Sequence, residues 1–150
     1  MEGIEQQENL VTTTAGMHDV LRAAKRVAII GIKPESHASQ PAHYVSRYLA
    51  DAGYDVVPVP VYYPDVTEIL GRPVYRSLAD VPGDVDLVVV FRRSGDVAKH
   101  VEEILEKKPD SVWLQLGIRN DEAAARWAAA GIKVVQDRCS MVEHRMLRRS

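Results

Sequence analysis

The stretch "VDLVVVF" (85–91) runs from Leu87 to Phe91 without a polar break. A strand with one wet face alternates apolar and polar residues, whereas an unbroken apolar strand is buried on both faces, as in a parallel sheet covered by helices on each side. Four more stretches read as strands: "RVAIIG" (26–31), "YDVVPVPV" (54–61), "SVWLQLG" (111–117) and "IKVVQD" (132–137). Amphipathic segments lie between them. Val45, Tyr48, Leu49 and Ala52 share a helical face after Pro41, and Val97, Val101, Ile104 and Leu105 share another over 94–109. Residues 120–131 form a helix bounded by Asn120 and Gly131. Residues 17–26 and 140–149 add helices before the first strand and after the last. Such alternation predicts an α/β domain of three layers, a doubly wound parallel sheet with right-handed crossovers. The turn-rich segment 64–85 is expected to hold a helical turn around Glu68 and a short strand at 73–75. Residues 1–16 lack periodicity and are expected to form a flexible tail, leaving 17–150 as a single domain.

The 150 residues suit one domain, and a net charge of −2 without a basic tract argues against non-specific nucleic-acid binding. One cysteine, Cys139, excludes an internal disulfide and a cysteine-rich zinc site. The first residues carry Glu2, Glu5 and Glu8 and no apolar run, unlike a secretory leader, and no stretch is long enough to span a membrane. A cytoplasmic location is the expectation.

Ligands of open parallel sheets bind outside the carboxyl ends of the strands, where the strand order reverses. The first strand ends in Gly31-Ile32-Lys33-Pro34, and a helix follows from Ser39, Gln40 and Pro41. A glycine admits close backbone approach, a helix N-terminus attracts anions, and Lys33 adds a full charge. A dinucleotide fingerprint is not met: Lys33 and Ser36 stand where its second and third glycines belong, and the second strand ends without the acid that would bind an adenosine ribose. That end, at Val59 and Pro60, reads instead as an apolar shelf for an adenine. The next strand ends in Phe91, Arg92 and Arg93, of which alternation aims only one arginine at the cleft. The following one offers Gln115, Gly117 and a second possible anion contact, Arg119. No catalytic constellation emerges. The five histidines form no ligand pair, and Glu143 and His144, being neighbours, point to different faces of a helix. Trp113 and Trp127 read as core or interface residues.

Together, "VAIIGIKP", "RYLADAGYDVVPV", "EILGRPVYRSLADVP", "DLVVVFRR", "VWLQLGIRNDEAAARWAAAGIKVVQDRC" and "EHRML" resemble the stand-alone CoA-binding protein family over residues 20–147. Its Rossmann-like domain is similar to the N-terminal nucleotide-binding domain of the succinyl-CoA ligase α-subunit. The resemblance implies coenzyme A or an acyl-CoA across the switch point. The diphosphate would meet Gly31 to Pro34 and the helix start, the adenine would lie near Val59, and Arg92 would approach the phosphates. The family often has Arg-Pro-Ser where this chain has Gln40-Pro41-Ala42, and Asn-Pro where it has Pro60-Val61. The ligase's phosphohistidine domain has no counterpart here. An NAD(P)-linked enzyme and a protein-interaction domain with a vestigial cleft are the alternatives. Cys139 follows the last strand, on the same edge as the proposed site. In a strand order 3-2-1-4-5-6 it lies three strands from the first, about 14 Å at 4.8 Å per strand, within reach of a pantetheine arm and its thiol. The alternative for Cys139 is a buried, inert thiol.

Overall fold

The computed structural model describes residues 2–149. Seven strands and six α-helices follow the chain as α1 (Glu2–Asn9), α2 (Thr14–Ala23), β1 (Arg26–Ile30), α3 (Pro41–Asp51), β2 (Asp55–Val59), β3 (Glu68–Ile69), β4 (Arg72–Pro73), β5 (Leu87–Val90), α4 (Val101–Lys107), β6 (Ser111–Leu114), α5 (Asp121–Ala129), β7 (Lys133–Val135) and α6 (Ser140–Arg149). Short 3₁₀ turns cover Glu35–His37, Leu78–Asp80 and Ser94–His100.

The five longer strands form one parallel sheet in the order β2-β1-β5-β6-β7. Ile30 pairs with both Val59 and Val90, and Val90 with Leu114, so the strand ends are level across the middle of the sheet. Alternate residues of each strand feed two separate cores. Ala28, Ile30, Val57, Val88, Val90 and Val112 face Val101 and Ile104 of α4 and Trp127 of α5. Val27, Ile29, Val56, Leu87, Val89 and Trp113 face Val20 and Leu21 of α2 and Val45 and Leu49 of α3. The three layers and the Rossmann-like α/β fold read from the sequence are those observed. Both tryptophans are fully buried core residues, and each indole N–H finds a carbonyl, Trp113 that of Arg138 at 2.8 Å and Trp127 that of Val101 at 3.3 Å. Asn120 caps α5, its side-chain oxygen accepting the Ala123 N–H at 3.0 Å.

Four local readings are corrected. The order is not 3-2-1-4-5-6, because only β2 lies beyond β1. The strand placed at 73–75 and the helical turn around Glu68 are instead a hairpin of two-residue strands, β3 and β4, tied to β2 by the Tyr75 N–H to the Pro58 carbonyl at 3.0 Å. Pro73 has no N–H to give a ladder, and β3 and β4 form a two-stranded sheet of their own beside β2. The distance from the first strand to the last is unaffected, since β7 is still three places from β1. Residues 94–109 begin as a 3₁₀ turn and become α-helical only at Val101. The beginning of the chain, read as a loose tail, holds α1 and a parallel bridge from Leu10 to Val134 that covers the β7 edge. The missing signal is physical: polar side chains hold this helix, with Gln6 donating to the Ala125 carbonyl at 3.2 Å and Asn9 to that of Ala128 at 3.0 Å.

Candidate functional site

Between β1 and β5 the chain runs off in opposite directions along the sheet, β2 lying to one side and β6 and β7 to the other. This is the topological switch point, and a crevice opens there. A cavity of about 480 Å³ lies at the strand ends, bounded by the turns after β1, β5 and β6, the start of α3 and the approach to α6.

The β1 turn is shaped by Gly31. Its φ is +82°, and its N–H donates to the Val59 carbonyl at 2.9 Å while the Phe91 N–H donates to the Ile30 carbonyl at 2.9 Å. A Cβ at this position would lie 3.0 Å from the Phe91 carbonyl carbon and closer still to its oxygen. Glycine is therefore required twice, for the left-handed backbone and for the close passage of two strand ends. Ile32 then turns into the core, 1% exposed, and Lys33 turns out over the cavity, where its Nζ hydrogen-bonds Gln40 Oε1. Gln40 sits at the N-cap of α3 without capping it, and Pro41 has no N–H, so Ala42 is the first helix residue with one to offer. His43 closes the turn from behind, with Nδ1 2.9 Å from the Lys33 carbonyl.

From β5 come Phe91, Arg92 and Arg93, all lining the cavity. The two arginines differ as alternation demands. Arg92 is half-buried, and its Nε donates to His100 Nε2 at 3.1 Å, whereas the Arg93 side chain is 90% exposed at the rim, 3.6 Å from Asp96. Asp96 is held below the usual carboxylate range, foremost by its hydrogen bond from Lys99 and also by the charges of Arg92 and Arg93. From β6, Gln115 is 3% exposed and its Oε1 accepts the Ser140 N–H at 3.0 Å, which caps the otherwise open start of α6. Its Nε2 has no partner among the described residues, and the side chain lines the cavity. Gly117 follows with φ +84°, its N–H donating to Asp137 Oδ1 at 2.7 Å. Cys139 lines the same cavity and is half-buried, not sealed in the core.

Nine of the residues singled out from the sequence thus come together here: Gly31, Lys33, Gln40, Phe91, Arg92, Arg93, Gln115, Gly117 and Cys139. Five do not line the cavity. Ile32 and Val59 are core residues, Pro34 and Pro60 are buried, and Ser39 is exposed outside it. The apolar shelf at the end of β2 is closed, Val59 lying in one buried core with Leu78 and Val81; the loop that follows is tied by Arg76 donating to the carbonyls of Tyr62, Tyr63 and Val66 at 3.1, 2.9 and 2.6 Å. Arg119 is turned to Asp121 at 3.0 Å and also lies outside the cavity. The apolar wall of Tyr44, Val45, Leu116 and Ile118 was not anticipated. Helical periodicity hints at Val45, while Leu116, 69% exposed, has no sequence signal at all.

The lining holds three cations and no carboxylate, although the chain as a whole is slightly acidic. No cluster of side chains suited to a metal ion occurs among the described residues, and none of their helices is long and apolar enough to cross a membrane. Glu143 and His144 do diverge: Glu143 lies 3.6 Å from His18, and His144 Nδ1 is 2.9 Å from the Tyr48 hydroxyl.

The chain is 35% identical over 130 residues to the uncharacterized protein YneT of Bacillus subtilis (strain 168), an alignment covering 87% of this chain and 93% of that one. Among solved structures it is similar to cell-free ID.343 from Thermus thermophilus, with 40% identity and a TM-score of 0.82 over 91% of this chain and 99% of that one. It is likewise similar to a hypothetical protein from Pyrococcus horikoshii OT3, with 33% identity and a TM-score of 0.81 over 91% and 93%. Residues 25–145 match the CoA binding domain family, and the span takes in all five strands of the main sheet and every residue of the cavity; the chain belongs to that family.

Proposed function

We propose that this protein binds coenzyme A, free or acylated, in the cavity at the switch point. The observation that carries the reading is the lining itself, with Lys33 and Arg92 brought from two strand ends to the start of α3, Arg93 at the rim beside Asp96, and no carboxylate in the lining. A diphosphate offers charge to all three, and the helix start favours it further. The apolar wall of Tyr44, Leu116 and Ile118 suits the uncharged pantetheine arm, and Gln115 Nε2 supplies a donor for one of its amide carbonyls. An acyl chain or free thiol at the end of the arm would come to lie toward Cys139.

The test is thermal unfolding of the purified protein with coenzyme A, NADH and NADPH in turn. Coenzyme A at 100 times its dissociation constant stabilises the fold by about 2.7 kcal/mol, and the nicotinamide nucleotides do not. Lys33→Glu and Arg92→Glu each weaken coenzyme A binding by about 1.5–3 kcal/mol, the range of a charge-assisted hydrogen bond. Lys133→Glu, at the opposite end of β7, leaves it unchanged. Equal stabilisation by all three nucleotides, or equal loss in Lys133→Glu, refutes the reading.

A further inference from the structure

Arg92 is held from behind by a chain of three hydrogen bonds. Its Nε donates to His100 Nε2 at 3.1 Å, His100 Nδ1 lies 2.8 Å from Glu103 Oε2, and Glu103 Oε1 accepts the Leu78 N–H at 2.9 Å. The proton positions follow from the two ends. Arginine Nε always carries its hydrogen, so His100 Nε2 must be the bare, accepting nitrogen. The imidazole proton then sits on Nδ1 and points at the carboxylate. Burial raises the proton affinity of Glu103, but the hydrogen bonds from His100 and the Leu78 N–H outweigh it and hold the carboxyl below its usual range, so it stays an acceptor. Neither Nη atom of Arg92 has a hydrogen-bond partner among the described residues.

We infer that His100, which does not line the cavity, is a positioning residue for the anion site: it grips Arg92 by Nε and so presents the free Nη pair to the phosphates, with Glu103 selecting the imidazole tautomer that can do this. This inference rests on the coenzyme A reading for the identity of the anion, but not for the hydrogen-bond chain. A guanidinium gripped at Nε keeps two parallel N–H groups for a bidentate phosphate contact, and a side chain fixed in advance loses less entropy on binding.

The experiment compares wild type, His100→Ala and His100→Gln by calorimetric titration with coenzyme A at pH 7.5, each first checked for its melting temperature. At pH 7.5 His100→Ala binds about threefold to tenfold more weakly, as Arg92 must then be ordered by the ligand. His100→Gln, whose amide oxygen accepts from Arg92 and does not titrate, stays within about twofold of wild type. A separate arm uses no coenzyme: nitrogen-15 spectra of the imidazoles in the free protein show His100 protonated at Nδ1 alone at pH 7.5. Unchanged binding in His100→Ala, binding in His100→Gln as weak as in His100→Ala, or a proton on Nε2 each overturns the inference. Should coenzyme A not bind wild type at all, the functional proposal fails by itself, and the imidazole spectra with inorganic pyrophosphate as the titrant still decide the role of His100.

Discussion

Replacing Gly31 by alanine separates two demands that the β1 turn makes of one residue. The first is conformational: at φ +82° a Cβ crowds the following carbonyl, costing about 1–2 kcal/mol. The second is steric. The new methyl would press on the Phe91 carbonyl group, which belongs to the neighbouring strand end and cannot swing aside as a side chain would. Forcing atoms into a packed site costs about 1–3 kcal/mol. The sum, about 2–5 kcal/mol, is a large share of the 5–15 kcal/mol that holds an ordinary domain together. At about 2–4 °C per kcal/mol for a chain of this size, the melting temperature falls by roughly 4–20 °C. Gly53→Ala is the internal control. Gly53 also has a positive φ, +107°, but a Cβ there meets nothing within 4 Å, so only the conformational term applies. Urea unfolding of wild type and both variants, followed by far-ultraviolet circular dichroism, gives the two costs in the same units. The difference between them should be about 1–3 kcal/mol in the direction of the weaker Gly31→Ala. Equal destabilisation would refute the reasoning, because it would mean that the β1 and β5 ends separate freely and do not form a rigid floor for the cavity.

Cys139 lines the cavity, so bound coenzyme A slows its alkylation by iodoacetamide, and Cys139→Ser still binds the coenzyme. Incubation with coenzyme A disulfide gives a mixed disulfide as the Cys139 thiolate attacks one sulfur and expels one coenzyme A thiolate; intact mass finds the adduct in wild type, none in Cys139→Ser, and slower formation in Lys33→Glu. Alkylation at the same rate with and without ligand would place the thiol outside the binding path. His144 is held below its ordinary proton affinity, by burial first and by Arg148 second. Its neutral form is thus the one the fold prefers, so its contribution is present above the unfolded-state value and is lost as pH falls through the folded one. The urea midpoint of His144→Gln should therefore decline less between pH 7 and pH 5 than that of wild type, and parallel declines would exclude His144 from the acid sensitivity.

Short-range patterns carried much of this molecule. The unbroken valines of β5 required cover on both faces, and the alternating helices required a parallel sheet, because period and burial are properties of a few neighbouring residues. A parallel sheet binds ligands at its carboxyl edge, so the sequence alone marks Gly31, Lys33, Arg92, Gln115 and Cys139 as site residues. Choices between distant partners were not legible. The end of β2 looked like an open shelf because nothing near Val59 announces that Leu78 and Val81 will share one buried core with it. Residues 2–9 looked structureless because their helix is held by Gln6 and Asn9 reaching α5, 119 residues along the chain. His100 looked like one polar residue on a helix, and only folding sets its ring between Arg92 and Glu103. A hydrophobic period is written locally because one helix or strand must bury its own face. The partner of a buried donor is chosen by whichever acceptor the finished fold brings within about 3 Å, and that choice belongs to the tertiary structure.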